Sequence, residues 1–197
     1  GLMMYNDNSA LRNTDNEVIC ASIAHADHSN ISMTGEIIDK VYMDGKLIDT
    51  IVGHNIIVNS FTKLVMALCK GETGYAGIKF WAVGSGLATW DSTSVEPLVG
   101  ETQLTAEIGR VAIAANEIKF LTADYAESNV PTNILQIQHI FGTNDCNGSW
   151  REFGIFGGDA TATANSGIMI NKKHHPVITK TSDMTIERTM RFTINLV

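Results

Sequence analysis

Proline, cysteine and charged residues are all scarce in this chain of 197 residues, which has three prolines, three cysteines and 18% charged residues. Three widely spaced cysteines do not make a disulfide framework, so we expect reduced thiols, with Cys69 buried on a helix and Cys20 and Cys146 in loops. No run of about 18 apolar residues occurs, so we expect no membrane insertion. The N-terminus lacks a basic segment followed by an apolar run, and we expect synthesis in the cytoplasm without a signal peptide.

Basic residues are outnumbered, with 14 Lys and Arg against 21 Asp and Glu and a formal net charge of −7. Binding along a phosphate backbone needs clustered Lys and Arg, so we expect no nucleic-acid partner. Hydrophobic residues make up 44% of the chain, enough to bury a sizeable core.

A β-hairpin is the first strong local signal. Residues 36–43 and 46–52 both alternate between apolar and polar positions, although Ile38 and Asp39 interrupt the first run. Asp44-Gly45 between them tolerates the positive φ angles of a two-residue turn.

One amphipathic helix follows. Its apolar stripe has the spacing i, i+3, i+4 and i+7 and consists of Phe61, Leu64, Val65 and Leu68. We expect Asn59 or Ser60 to cap its N-terminus and Gly71 to end it in the left-handed conformation.

The rest of the chain is predicted to consist of strands and loops. Extended segments are expected at 78–83, 104–115, 117–123, 133–141, 150–156 and 184–196. The second and third of these should form a hairpin about Asn116. Arg188 lies on the apolar face of the last segment, and we expect it at the rim of the fold.

Many strands with one early helix predict a mainly β protein, an antiparallel two-sheet β-sandwich with one α-helix packed on it after the first hairpin. We expect residues 34–197 to form this single domain. Residues 1–33 are rich in turn formers and are predicted to be an N-terminal arm, poorly ordered or pairing with a sheet edge.

Catalytic signatures are missing from the sequence. Ser85 stands directly between two glycines and lacks the Gly-x-Ser-x-Gly spacing of a hydrolase nucleophile. Cys20, His25 and His28 lack a fourth ligand for a metal site. We therefore expect no enzymatic activity, no cofactor and no bound metal.

Two features are candidates for a ligand site or an interface. The run Lys172, Lys173, His174 and His175 forms a basic patch that suits an anion or the acidic face of a neighbouring subunit. Its two histidines should point to opposite faces of a strand, at the rim, and not chelate one ion. Trp90, in a polar loop, is the best exposed candidate for a sugar platform that Trp81 and Trp150 could also line. The alternative is that such a Trp caps the core.

Four other polar residues have structural interpretations. Asn55 and Asn59 are expected to hydrogen-bond backbone groups where strand becomes helix. Glu107 and Arg110 are three positions apart on one strand and should face opposite sides, so each is expected to pair across strands or to be solvated. Glu152 and Glu187 are the candidate partners of Arg110.

The sequence contains a series of short motifs in a characteristic order. They are Gly53-His54-Asn55-Ile56-Ile57-Val58-Asn59, Val83-Gly84-Ser85-Gly86, Leu104-Thr105-Ala106-Glu107-Ile108-Gly109-Arg110, Arg151-Glu152-Phe153-Gly154-Ile155-Phe156 and a Thr-rich terminal strand. In this order they resemble tail-fibre, baseplate and other virion structural proteins of tailed bacteriophages and prophages. The resemblance spans residues 35–197.

The resemblance implies a non-enzymatic component of the virion that associates with itself or with other phage tail proteins. The alternative is a carbohydrate-binding module that uses Trp90 and loop acids to attach to a surface glycan. A hydrolase is the third possibility, and no residues support it.

Overall fold

The computed structural model describes residues 31–196, of which residues 33–194 form one compact unit. The predicted N-terminal arm, residues 1–33, lies outside the described residues except for its last three, which begin the first strand. Cys20, His25 and His28 also lie outside them.

The described residues contain eleven strands and one α-helix. In chain order they are β1 (Ile31–Met43), β2 (Lys46–His54), β3 (Ile56–Ile57), α1 (Phe61–Lys70), β4 (Ala76–Gly84), β5 (Glu107–Ala112), β6 (Ile118–Leu121), β7 (Glu127–Ser128), β8 (Ile134–Phe141), β9 (Gly148–Gly158), β10 (Ile168–Lys180) and β11 (Met184–Leu196). Two short 3-10 helices span Ala88–Asp91 and Ala115–Glu117.

The strands form two sheets. A six-stranded sheet has the order β2-β1-β11-β8-β6-β7, and a five-stranded sheet has the order β3-β10-β9-β4-β5. The core side chains with no solvent exposure come from both sheets and include Trp81, Phe141, Trp150, Phe153, Ile186 and Met190. The helix α1 buries Leu64 and packs against β4, β9 and β10. The predicted mainly β, antiparallel two-sheet sandwich with a single helix is therefore confirmed.

The first hairpin forms as predicted. β1 and β2 pair antiparallel, and the turn residues Asp44 and Gly45 have φ angles of 48° and 75°. The charge of Asp39 predicted an interruption of the buried face of β1. Asp39 instead continues that face and is only 3% exposed.

Asp39 is buried because it pairs with Arg188, and the expected rim position of Arg188 is wrong. Arg188 has no solvent exposure and donates from Nε and Nη2 to the two Asp39 carboxylate oxygens at 2.7 and 2.8 Å. Its guanidinium carbon also lies 4.3 Å from the ring centre of Phe153. The charge on the apolar face of β11 is thus accommodated by a partner from β1 in the core between the sheets.

The predicted hairpin about Asn116 is also wrong. β5 pairs with β4 in the five-stranded sheet, whereas β6 pairs with β7 and β8 in the six-stranded sheet. The connecting 3-10 helix is fixed by Glu117, whose carboxylate accepts a hydrogen bond from the Ala114 backbone and lies 2.7 Å from His139 Nδ1 on β8. These contacts turn the chain from one sheet to the other, which alternation along the sequence does not reveal.

The two ends of α1 differ from each other. Gly71 ends the helix in the left-handed conformation, with φ 71° and ψ 39°, as predicted. Ser60 occupies the N-cap position without a side-chain cap, because its hydroxyl donates to the Met169 carbonyl oxygen at 2.6 Å. The expected side-chain cap by Asn59 or Ser60 is thus replaced by a bond that ties the helix start to β10.

The two described cysteines have different environments. Cys69 is exposed on α1, contrary to the expected burial, because the buried stripe of the helix faces the other way. Cys146 lies in the turn before β9, where its Sγ would be 2.7 Å from a Cβ built on Gly109. Burial, followed by the nearby Asp145 carboxylate, raises the pKa of the Cys146 thiol to about 11.

We expect maleimide at pH 8 to label Cys69 at least about ten-fold faster than Cys146, because only the thiolate reacts and about one Cys146 thiol in a thousand is ionised there. Mass spectrometry of the labelled peptides measures both rates. Labelling in urea is the control, since unfolding should bring the two rates together. Equal rates in the folded protein would contradict the expectation.

Candidate functional site

A surface cleft of about 570 Å³ lies beside β10 of the five-stranded sheet. One wall is the segment 90–96, which begins in the first 3-10 helix, and the other is the segment 173–177 of β10. Four of the candidate residues from the sequence line this cleft: Trp90, Lys173, His174 and His175.

Trp90 is held in place from two directions. Its indole stacks on the His174 ring, with ring centres 3.9 Å apart and an interplanar angle of 21°. A Cβ built on Gly86 would lie 2.3 Å from the indole, so only glycine allows this approach, and the φ of 55° at Gly86 also favours glycine. Trp90 remains partly exposed. The other two tryptophans, Trp81 and Trp150, are fully buried and so cannot line a sugar platform.

An ion pair fixes the wall that carries Trp90. Arg151 on β9 donates from Nε and Nη2 to the two carboxylate oxygens of Asp91, both at 2.8 Å, and from Nη1 to the Ser85 carbonyl oxygen at 3.1 Å. These bonds hold the pKa of the Asp91 carboxyl below its usual range. Sequence reasoning missed this pair, because Asp91 and Arg151 are 60 positions apart and the motif that contains Arg151 does not indicate its partner.

The two histidines contact opposite sides of the sheet, as adjacent strand residues do. His174 faces outward, where its Nδ1 lies 2.5 Å from the Val95 carbonyl oxygen and joins the two walls of the cleft. His175 faces the core, with its ring centre 6.1 Å from that of Phe153. Burial, followed by the nearby Arg188 charge, lowers the pKa of His175 to about 4, so its imidazole is neutral at pH 7.

Lys172 is not part of an accessible basic patch. It has no solvent exposure, and its ammonium group lies 3.0 Å from a Glu101 carboxylate oxygen and 3.3 Å from one of Glu152. Alternation along β10 turns Lys172 toward the segment that precedes β5 and Lys173 toward Gly53 of β2. The four-residue run Lys172–His175 therefore splits, and only Lys173 offers a partly exposed cation to the cleft.

Glu152 is a structural residue of this network. Its carboxylate accepts hydrogen bonds from the backbone N–H groups of Thr105 and Ala106 at 3.0 and 2.8 Å. A Cβ on Gly84 would come within 2.5 Å of the same carboxylate, which explains the glycine there. Glu152 and Lys172 together fasten the chain segment before β5 onto the sheet.

Glu107 and Arg110 pair with each other, so the expected cross-strand partners are wrong. Arg110 donates from Nε and Nη2 to the two Glu107 oxygens at 2.6 and 2.9 Å. The reason is a β-bulge: Val83 pairs with Gly109 and Gly84 with Glu107, which leaves Ile108 as an extra residue. The extra residue reverses the alternation and places both side chains on one face. Arg110 Nη1 also donates to the carbonyl oxygens of Thr161 and Ser166, both at 3.0 Å.

Neither asparagine of the strand-to-helix segment makes the expected side-chain bond to the backbone. The Asn55 amide is buried against Gly35, and neither of its polar atoms has a hydrogen-bond partner among the described residues. Asn59 is exposed, and its backbone instead bonds the Val99 carbonyl oxygen at 2.7 Å. The backbone N–H of Asn55 donates to the Gly35 carbonyl oxygen at 3.2 Å, so a backbone bond and not the side chain holds this segment.

Residues 31–196 contain no group of three or more His, Cys, Asp or Glu side chains placed to hold a metal ion. Among the same residues, no helix has the length and apolar character needed to cross a membrane.

Comparisons of the chain with protein-family models, with curated proteins and with solved structures found no match.

Proposed function

We propose that this protein is a non-enzymatic structural component of a tailed-bacteriophage or prophage virion, in the tail, baseplate or fibre. It acts by assembling with copies of itself or with other tail proteins. The observation that supports this proposal best is the exposed edge strand β2.

The four sheet edges of the described residues are unequal. β3 and β7 have two residues each, and β5 has six and contains the bulge at Ile108. Short and bulged edge strands resist pairing with other chains. β2 has nine residues, and nothing in the described part of the chain pairs with its outer side. It is the edge at which another strand finds the longest run of free backbone groups.

The side chains of β2 also favour association. Leu47, Ile48 and Val52 are 47, 52 and 70% exposed on this one strand. Ile48 is an extra residue opposite β1, so the regular part of the edge runs over residues 49–54. Six residues match the usual length of a strand, and addition of a strand to such an edge is a common mode of protein association.

Four buried charged residues, three of which stand in the motifs of the sequence, support an architectural role. Glu107 with Arg110, and Glu152 with Lys172, use their charged groups to fasten loops onto the five-stranded sheet. All four side chains are at most 3% exposed, so their polar atoms are engaged inside the protein.

Substitution of the edge tests the proposal. We expect light scattering after gel filtration to show association of the wild-type protein, alone or with tail proteins encoded by neighbouring genes. Val52→Lys should weaken it at least about ten-fold, because a charged side chain on an edge strand opposes pairing. Val130→Lys is the matched control, since Val130 is 63% exposed and lies in the loop before β8.

Two results would overturn the proposal. One is a wild-type protein that stays monomeric at high concentration and binds no tail protein. The other is association that Val52→Lys leaves unchanged, which would remove β2 as its basis.

A further inference from the structure

The exposed edge strand β2 has an unpaired cation on one of its faces. Lys173 belongs to β10 of the five-stranded sheet, but its side chain reaches β2 in the other sheet. A Cβ built on Gly53 would lie 3.1 Å from its Cε and 3.2 Å from its Nζ, so the glycine leaves room for the lysine side chain. Among residues 31–196, no group forms an ion pair or a hydrogen bond with Lys173. Its ammonium group is therefore available to an anion that arrives at this edge.

An unpaired anion lies four positions away on the same face of the same strand. Asp49 pairs with Val41 of β1, which is 3% exposed. Gly53 pairs with Ile37, which is 2% exposed. Directly opposed residues share a face of the sheet, so Asp49 and Gly53 both face inward, as does Ile51 between them. Asp49 is exposed, and its carboxylate accepts a hydrogen bond from the N–H of the next residue at 2.8 Å but pairs with no described cation.

Two copies of β2 can pair with each other about a two-fold axis, in an antiparallel ladder. Opposed residues must lie on the same face of the sheet, so the axis passes beside one residue and not between two. A ladder centred on Ile51 places Asp49 of one copy opposite Gly53 of the other, and Thr50 opposite Val52. Because of the two-fold symmetry, each of these contacts occurs twice.

This register brings the two unpaired charges together. Directly opposed residues have Cβ atoms about 4.5–5.5 Å apart, and the Nζ of Lys173 lies 3.2 Å from the Cβ position of Gly53. The Asp49 carboxylate of one copy is therefore within reach of the Lys173 ammonium group of the other. A ladder centred on Val52 would instead place Ile51 opposite Gly53 and leave both charges unpaired.

We propose that the partner of β2 is a second copy of this chain, paired antiparallel about Ile51 and held by two Asp49–Lys173 ion pairs. The inference rests on the proposed function, because it takes β2 to be the assembly edge. It adds the identity of the partner and the register of the contact. The two six-stranded sheets form one continuous sheet across the dimer, which covers the longest exposed edge of each copy.

Reversal of the two charges tests the dimer on the full chain. Asp49→Lys and Lys173→Glu each replace two attractive contacts by two repulsive ones, so each variant alone is expected to self-associate at least about ten-fold more weakly than the wild-type protein. An equal mixture of the two variants is expected to recover the association, because every opposed pair then joins a cation to an anion. Light scattering after gel filtration measures the association, and native mass spectrometry identifies the mixed dimer.

Controls show that the effect belongs to these two positions. Lys63→Glu and Asp159→Lys make the same exchanges at exposed sites outside β2 and β10, and neither should change the association. Both interface substitutions in one chain should restore self-association, as the mixture does. Recovery in either form also shows that the substituted chains are folded.

Three results would overturn the dimer. They are a wild-type protein that stays monomeric at high concentration, an interface variant that associates as tightly as the wild-type protein, and a failure of both the mixture and the doubly substituted chain to recover association. The proposed function survives any of these if the protein binds other tail proteins and Val52→Lys weakens that binding. The two proposals therefore fail separately.

Discussion

Asp39→Ala is expected to destabilise the fold by about 3–5 kcal/mol, the largest effect of any single substitution argued for this protein. Arg188 has no solvent exposure, and Asp39 is its only anionic partner among the described residues. Removing the carboxylate leaves a buried guanidinium with nothing to neutralise it. Urea unfolding at pH 7, followed by the fluorescence of the buried tryptophans, measures the loss.

A double substitution separates the cost of a lone charge from the value of the pair. Replacing both residues, with Asp39→Leu and Arg188→Met, should bring the stability within about 1 kcal/mol of the wild-type protein, since no buried charge remains. Glu127→Ala is the surface control: it breaks the exposed Lys119–Glu127 pair and should cost less than about 1 kcal/mol. If Asp39→Ala costs as little as Glu127→Ala, the buried pair does not have the role assigned to it.

Asp39 and Arg188 also show where prediction from the sequence fails. The β1–β2 hairpin, α1 and β11 were predicted because their signals are local: alternation, helical spacing and a turn dipeptide. A charge within an alternating strand has no local explanation, and its partner here is 149 positions away. The sequence therefore indicated an interruption at Asp39 and a rim position for Arg188. In the structure both side chains are buried, because they pair with each other.

Glu107 and Arg110 fail for a different reason. Strand parity is a sound rule for a regular strand, but the extra residue Ile108 reverses it. A bulge depends on how β5 pairs with β4, and so the local sequence does not reveal it. Glu152, one of the two candidate partners of Arg110, instead pairs with Lys172 on the neighbouring strand β10.

The cleft was predictable in its residue types but not in its geometry. Trp90 and the basic run were chosen because their side chains suit ligand binding. Their adjacency depends on the 3-10 helix that carries Trp90 lying against β10, and His174 and Val95 are 79 positions apart. Chemistry along the chain thus identified candidates, whereas pairing between distant strands decided which of them form one site.

The buried polar groups of the five-stranded sheet share one task. Arg110 holds the loop at 159–167, the Glu152–Lys172 pair holds the segment before β5, and Lys180 donates to the Gly142 carbonyl oxygen at 2.6 Å in the turn before β9. Each places a long, irregular connection in a fixed position on a rigid sheet. A chain built this way presents defined loop surfaces, which both an assembling subunit and a ligand cleft require.

His175 gives the protein an expected sensitivity to mild acid. Its pKa falls from the ordinary 6.5 to about 4 in the folded chain, mainly because the ring is buried. Below pH 6.5 the unfolded chain binds a proton at this position and the folded chain does not, so the folded state loses stability as the pH falls. Between pH 6.5 and 4 the loss from this one group should reach about 3 kcal/mol.

The charged groups around His175 determine how the acid effect is isolated. Arg188 and Lys173 lower the pKa of His175, and Asp39 raises it. Substitution of any of these three would change both the pKa of His175 and the contacts of the substituted residue. His175→Gln removes only the proton-binding group, and its free energy of unfolding should decline with acid by about 3 kcal/mol less than that of the wild-type protein. His54→Gln, at an exposed position on β2, is the control and should follow the wild-type profile. Urea unfolding at several pH values from 7 to 4 measures the free energy of unfolding of all three proteins. If it declines equally with acid in His175→Gln and in the wild-type chain, the buried neutral imidazole is not the cause of the acid sensitivity.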